Sequence, residues 1–520
     1  TLIILIFLLT NFGNFLLKKK EPSIINFFLG WIFFYYFLFF GNWIFNIELS
    51  LLIKIFFLII TILLIINKHI SFKIESYDLK ILLILFPYFF ILLSMKTIEW
   101  DSFAFWSYQT DYLINNDSFI NSKNDQIFHH ASYPQAKNII ILSGSIITGV
   151  YSENLPSIFN FLILFLTCNF FYLLNKRYKY IFIFLTFCTP ILITDKIFSH
   201  YHDFILGISI LVTVYIISKI SSVNLFYKLK YFHIFYYGLI CSLTPIIKNV
   251  GIIHTFSAIF CFFFILLFEV NIREKINYKF FKRFIFFVLT TSLGWFLWKI
   301  YLISSGISLH EYSNFGDHGL RFYIFKDFII SAFNQIFERE IAMIILFLPL
   351  ILFFFKNNKN FKVYIYFYFF ITSIFLFFLL INYLANFPEG NAKSASSFYR
   401  YLYQVVPLAL YILVNYISLN NNQKFNRYLL SINKFIIIII MVFPLIFITK
   451  IRRDLSPLYL DAKLISNEII SFTDKNDKKI FLISEYPSLQ KEIISYYSKI
   501  PKKNIFFNKD NNFIIDYEIY

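Results

Sequence analysis

The chain has 520 residues, of which 58% are hydrophobic, 22% aromatic and only 15% charged. Together with a mean hydropathy of +0.66, this excludes an ordinary water-soluble domain. Lys and Arg outnumber Asp and Glu by 47 to 30, for a net charge of +17. The basic residues are scattered through short loops instead of forming a face or arm, which excludes a nucleic-acid binder.

Apolar runs of roughly 16–23 residues recur along the chain, each long enough to cross a hydrocarbon core about 30 Å thick as a helix. They predict spans near 2–17, 24–45, 50–66, 79–95, 156–175, 179–194, 204–218, 231–247, 250–269, 284–303, 339–355, 363–385, 403–418 and 434–449. The expectation is an all-α polytopic membrane protein with about 12–14 transmembrane helices. Residues 1–78 are N-terminal spans and 79–450 a transmembrane module, with 96–155 as its large first loop. Residues 451–520 read as a small α/β appendage: helical periodicity over Leu458–Phe472 and Leu489–Tyr497, and a strand at Lys479–Ser484.

The loops alternate in character. One set carries Lys18–Lys20, Lys68 with Lys73, Lys176 with Arg177, Lys228 with Lys230, Arg273–Arg283, Lys356–Lys362, and Lys424 with Arg427. By the positive-inside rule these face the cytoplasm. The other set (96–155, 195–203, 304–338, 386–402 and the tail) carries the acids and histidines and is expected outside. This parity requires that Asn138–Val150, a short segment containing Ser143, Gly144, Ser145 and Gly149, lies on or re-enters the outer face instead of crossing. Cys168, Cys188, Cys241 and Cys261 fall within apolar runs without metal-ligand spacing and read as buried free thiols.

Lys96–Gln135 is a polar island in this setting. It opens Glu99-Trp100-Asp101-Ser102-Phe103-Ala104-Phe105-Trp106 and closes His129-His130-Ala131-Ser132-Tyr133-Pro134. Two tryptophans around an acid fit an interfacial aromatic belt; they equally fit a base held at the membrane–water boundary. Asp203, after His200 and His202, is either a charge at a span start or a second acid. Lys248, after Pro245, stands at a break between two apolar runs, where it is a snorkelling cap or a functional cation. Metal ligation is open for His129, His130 and Asp203, and for the group His310, Glu311, Asp317 and His318, which lacks tetrahedral spacing.

Trp100-Asp101-Ser102-Phe103-Ala104-Phe105-Trp106 resembles the Trp-Asp-Ala-x-x-x-Trp signature of GT-C membrane glycosyltransferases, which use polyprenyl-phosphate sugars and include protein mannosyltransferases and aminoarabinose transferases. Four further segments resemble family landmarks in order: His130–Pro134 (His-x-x-Tyr-Pro), Tyr201-His202-Asp203, Lys248-Asn249-Val250-Gly251, and Ser396–Tyr401 with Pro407. The likeness covers roughly residues 80–420. The chain departs from it at Gln109-Thr110-Asp111, where bacterial members have Lys-Ala-Lys, and at Val250, where they have an acid. These departures leave subfamily and substrate open.

The resemblance implies an inverting transferase with Asp101 as catalytic base, and Trp106, His130, Tyr133, Asp203, Lys248, Asn249 and Arg400 as substrate-binding residues. A divalent ion, Mg2+ or Mn2+, is the candidate cofactor. The implied partners are a polyprenyl-phosphate-sugar donor, a glycan, lipid or protein acceptor, and the bilayer. The implied location is a bacterial inner membrane, with the site facing outward. A flippase or transporter for lipid-linked glycans, and a glycan polymerase or ligase, are the competing readings. On chemical grounds a carboxylate suits the base that takes the acceptor's hydroxyl proton, and Arg400 or Lys248 suits the departing phosphate.

Overall fold

The computed structural model describes residues 2–18, 21–67, 76–99, 101–121, 131–149, 151–174, 176–194, 196–220, 226, 229–268, 278–307, 319–355, 359–419, 423–472, 480–482, 487–498 and 505–507. The chain opens with α1 (Leu2–Leu17), α2 (Ser23–Phe45), α3 (Leu49–Ile66) and α4 (Ser76–Leu92). A π-helical turn, Ser102–Trp106, then leads into α5 (Ser107–Asn116). Next come α6 (Ala136–Thr148), α7 (Leu155–Leu174), α8 (Lys179–Ile183), α9 (Thr189–Ile193) and α10 (Asp203–Ile220). They are followed by α11 (Tyr231–Ile247), α12 (Gly251–Phe268), α13 (Tyr278–Ser304), α14 (Phe325–Phe337), α15 (Glu340–Phe355) and α16 (Lys359–Ala385). The last part holds α17 (Glu389–Lys393), α18 (Phe398–Leu402), α19 (Val406–Leu419), α20 (Gln423–Ile446), α21 (Ile448–Ile451), α22 (Pro457–Phe472) and α23 (Pro487–Ser498). Two three-residue strands, β1 (Ile480–Leu482) and β2 (Ile505–Phe507), pair in parallel in the tail.

Seven described helices are long and apolar enough to cross a membrane unaided: α2, α3, α7, α10, α13, α16 and α20. The fold is that of a multi-pass membrane protein. Of the longer list of expected spans, α1, α4, α11, α12, α15 and α19 are apolar but shorter. The run 179–194 is helical without a break over residues 179–193, with α8 passing through a π-helical turn at Phe184–Cys188 into α9, just before Pro190.

The segment expected to lie on or re-enter a face is α6. Its 13 residues span about 20 Å, too little for a bilayer. Residues 136–143 are buried throughout, so α6 is packed inside the protein and does not rest on its surface. Trp31 of α2 anchors its start, donating from Nε1 to the carbonyl of Ala136 at 3.1 Å.

Helices α1 and α2 touch backbone to backbone. Gly13 faces the carbonyl of Asn26, and Gly30 that of Leu9, so closely that no Cβ fits at either. The lipid-facing surface is aliphatic and aromatic: Leu58, Ile62 and Ile66 on α3, Phe377 on α16, and Phe435 and Ile438 on α20 are all exposed. The four cysteines are free and buried.

Helix α10 sets the scale for the site. Its 18 residues make it about 27 Å long, with Asp203 at one end and Lys219 near the other. Lys219 is held by Glu21, at 2.6 and 2.8 Å, and Glu21 also accepts from Tyr237 Oη at 2.6 Å. This ion pair, with Glu21 buried and Lys219 half-buried, pins the end of α10 opposite the candidate site.

Candidate active site

Four charged groups from distant parts of the sequence meet at one end of the bundle. Asp101 stands just before the π-helical turn, Asp203 opens α10, Lys248 caps the end of α11, and Arg400 lies in α18. Arg400 Nη1 is 2.5 Å from Asp101 Oδ2, and its Nε is 3.6 Å from Asp203 Oδ2. Lys248 Nζ donates to Asp203 Oδ1 at 2.8 Å. The network holds two carboxylates against two cations, so it is neutral, and all four side chains are at most 13% exposed. Burial on this scale is tolerated only when the charges are paired and hydrogen-bonded.

Local structure supports each placement. Asp203 sits at a helix N-terminus, where the helix dipole favours an anion; Lys248 sits at a helix C-terminus, where it favours a cation. Lys248 has extended backbone, φ −155° and ψ 140°, so it ends α11 and turns the chain toward α12. The expected break at Lys248 is therefore present.

Arg400 is held by more than its carboxylates. Its guanidinium lies 4.9 Å from the Tyr201 ring and 5.1 Å from the Tyr401 ring. Burial alone would lower its pKa, but Asp101, two tyrosines and Asp203 hold it well above the ordinary arginine value. Burial beside Asp101 raises the Tyr201 phenol well above its usual range, so it stays protonated.

Trp106 and Tyr133 form the neighbouring aromatic wall. Trp106 stacks on the His202 imidazole at 3.6 Å between centroids and meets the Tyr133 ring at 5.2 Å. His202 donates from Nδ1 to the carbonyl of Ile247 at 3.0 Å, which leaves Nε2 as the acceptor nitrogen of a neutral ring. Burial, with Lys137 as the next cause, keeps both His200 and His202 well below the ordinary histidine pKa. Asn249 donates from Nδ2 to the Ser132 carbonyl at 3.3 Å, and Trp298 Nε1 reaches the same oxygen at 2.9 Å. These bonds tie the Ala131–Pro134 segment to the start of α12 and to α13.

The structure thus brings together Asp101, Asp203, Lys248 and Arg400, with Trp106, Tyr133 and Asn249 alongside. Trp100, His129, His130, and the group His310, Glu311, Asp317 and His318 lie outside the described residues.

Several site residues stand outside the sequence candidates. Gln404 donates to Asp203 Oδ1 at 2.6 Å and accepts from His254 Nε2 at 3.0 Å. Lys137 is fully buried and donates to the carbonyls of His200 and Tyr201 at 3.1 and 3.0 Å. A lysine bordering a short apolar helix is the one sequence cue that points to Lys137.

Among the described residues no three His, Cys, Asp or Glu side chains gather as a metal site. Both carboxylates of the network already face protein cations, with Arg400 between them. A carboxylate pair bridged by arginine is the donor set of an ion network; of the candidate ligands His129, His130 and Asp203, only Asp203 falls within the described residues.

Comparisons with family models, with curated proteins and with solved structures give no match for this chain.

Proposed function

We propose that this protein is a membrane glycosyltransferase that moves a sugar from a polyprenyl-phosphate donor to a glycan, lipid or protein acceptor, with inversion and with Asp101 as base. The observation that carries the reading is the joining of Asp101, Asp203, Lys248 and Arg400 in one buried, neutral network. These groups stand at helix ends, at the edges of apolar runs, which suits a donor whose headgroup sits at the membrane–water boundary. A transporter concentrates such charges near the bilayer midplane, so the position of the network favours transfer over translocation.

The chemistry follows from the charges. Asp101 takes the acceptor's hydroxyl proton as the oxygen attacks the anomeric carbon and the bond to the phosphate breaks. Protonation removes the negative charge facing Arg400. The guanidinium is then free to meet the charge that develops on the leaving phosphate, with Lys248 as the second cation. Each arginine contact with Asp101 before reaction becomes a contact available to phosphate during it. Trp106 and Tyr133, packed together beside the network, are the aromatic wall that backs the sugar site. By the positive-inside rule the end of α10 near Lys219 faces the cytoplasm and the network faces outward, across a bacterial inner membrane.

The test is sugar transfer in vitro from a panel of radiolabelled polyprenyl-phosphate sugars, comparing wild type with Asp101→Asn. Transfer lost in a folded variant supports the reading and the role of Asp101. Equal transfer in both removes Asp101 from the chemistry. Wild-type protein that transfers from no donor, but moves a lipid-linked glycan across proteoliposomes, establishes the flippase instead.

A further inference from the structure

Glu99, two residues before Asp101, has a left-handed backbone with φ 78°. That conformation is unfavourable for a residue with a Cβ and persists only where surroundings enforce it. Glu99 is 6% exposed, and three groups hold it. Its N–H donates to Tyr459 Oη at 3.0 Å, and its carboxylate meets Arg453 Nη1 at 2.6 Å and Lys196 Nζ at 2.8 Å. Two of the three, Arg453 and Tyr459, come from the C-terminal tail.

The tail grips both flanks of Asp101. On the N-terminal side, Asp454 Oδ2 accepts from the Lys96 N–H at 3.1 Å, and Arg452 reaches Ser94 Oγ at 2.8 Å while pairing with Asp454. On the C-terminal side, Phe103 in the π-helical turn packs on the rings of Tyr459, Tyr496 and Tyr497, at 5.5–6.2 Å. The turn itself starts from the Glu99 carbonyl, which accepts from the Phe103 N–H at 3.3 Å. The third holder, Lys196, belongs to the loop that carries Tyr201 and leads to Asp203, and its ammonium lies 5.3 Å from the Tyr201 ring. Tyr201 in turn faces Arg400. Glu99 therefore pins together the tail, the first loop and the loop before α10.

We infer that the C-terminal tail is a positioning element for the site: Arg453 and Tyr459 hold Glu99 in its left-handed conformation, and this aims Asp101 at Arg400. The inference rests on the reading of Asp101 as base. The tail touches no reacting atom; it acts through Glu99.

The test uses the full chain in detergent or nanodiscs, with Tyr459→Phe, Arg453→Ala and Arg453→Lys. Tyr459→Phe removes the acceptor of the Glu99 N–H without removing the ring that packs on Phe103. Two readouts are taken. Hydrogen–deuterium exchange over residues 97–106 is expected to rise in Tyr459→Phe and Arg453→Ala, by about tenfold. In transfer assays kcat is expected to fall about 10²-fold, as for a catalytic group misplaced by about an ångström, with KM for the donor unchanged. Arg453→Lys restores most of both. Unchanged exchange over 97–106 overturns the inference. So does faster exchange with an unchanged kcat, or a loss carried by KM. If wild type transfers no sugar, the glycosyltransferase reading fails while the exchange arm still decides whether the tail holds this segment.

Discussion

Arg400 and Asp101, 299 positions apart in sequence, form an ion pair at 2.5 Å that leaves the arginine Nε turned toward Asp203 at 3.6 Å. One planar side chain thus addresses two carboxylates through a fixed fork, whose geometry and spread the compact ammonium of a lysine does not reproduce. Arg400→Lys is therefore expected to lose about 10²–10³ of the transfer rate, with the protein still folded. The check is kcat per folded molecule, with the thermal midpoint as control. A rate equal to wild type would take the bridge out of the chemistry.

Asp203 and Lys248 test the same network through stability. Both side chains are under 10% exposed, so removing one partner leaves a buried charge. Lys248→Met should destabilise the protein by about 3–5 kcal/mol, and Lys248→Met combined with Asp203→Asn should recover most of that. Thermal unfolding of the two variants in the same detergent measures it. A double variant as unstable as the single one would mean that the pair is not the source of the loss.

What the sequence made legible here follows from the cost of charge next to lipid. Asp101, Asp203 and Lys248 each stand at the edge of an apolar run, where a charge needs a reason, and read as candidates on that ground; Arg400 is legible through the resemblance of Ser396–Tyr401 and the fit of its fork to a phosphate. Gln404 and His254 are neutral and sit at or inside apolar runs, so nothing local marks them. Lys137 borders a segment whose sequence reads as lying on or re-entering the outer face; its burial comes from contacts with residues 200 and 201 that no local pattern encodes. Glu99 belonged to the polar island, but its left-handed backbone is a product of tertiary contacts with the tail. The helix over 179–193 follows the apolar run, while its π-helical turn leaves no trace in apolar composition.

Gly207 makes a prediction about packing beside the site. It lies one turn into α10 from Asp203, and a Cβ built on it would stand 2.9 Å from both the Gln404 carbonyl oxygen and Pro407 Cγ. Gly207→Ala should push the Gln404 segment away from α10 and weaken the Gln404–Asp203 hydrogen bond. The expected cost is about 1–3 kcal/mol, with a lower transfer rate. Gln404→Leu, which removes the same bond without the clash, should reproduce the rate loss. If Gly207→Ala leaves both stability and rate at wild-type values, α10 does not need this close approach.

The orientation is open to direct labelling, because the four native cysteines are buried and give little background. Lys393 is 43% exposed in a loop of the expected outer set; Lys176 is exposed in a loop of the expected inner set. A membrane-impermeant maleimide added to intact cells should label Lys393→Cys and spare Lys176→Cys until the membrane is opened. The reverse pattern would put the network on the cytoplasmic side and remove an outward-facing transfer reaction.

His200 and His202 give the protein a pH-dependent stability whose sign can be worked out. Burial, reinforced by Lys137, keeps both imidazoles well below the ordinary histidine pKa in the native state. In the unfolded chain they titrate near the reference value of about 6.5. Below that pH the unfolded state binds protons that the native state does not, so the stability contributed by the neutral rings is complete above about pH 6.5 and is lost as pH falls. Each ring adds up to about 1.4 kcal/mol per pH unit in the acidic window. The midpoint of thermal unfolding should accordingly drop between about pH 7 and pH 5, and His202→Gln should flatten the decline by one ring's share. The Trp106 stack survives in part with glutamine at that position, so the variant remains folded at neutral pH. A slope between pH 7 and pH 5 that is the same in wild type and in His202→Gln would show that His202 binds its proton equally well in both states, and would exclude it as a neutral acceptor beside the site.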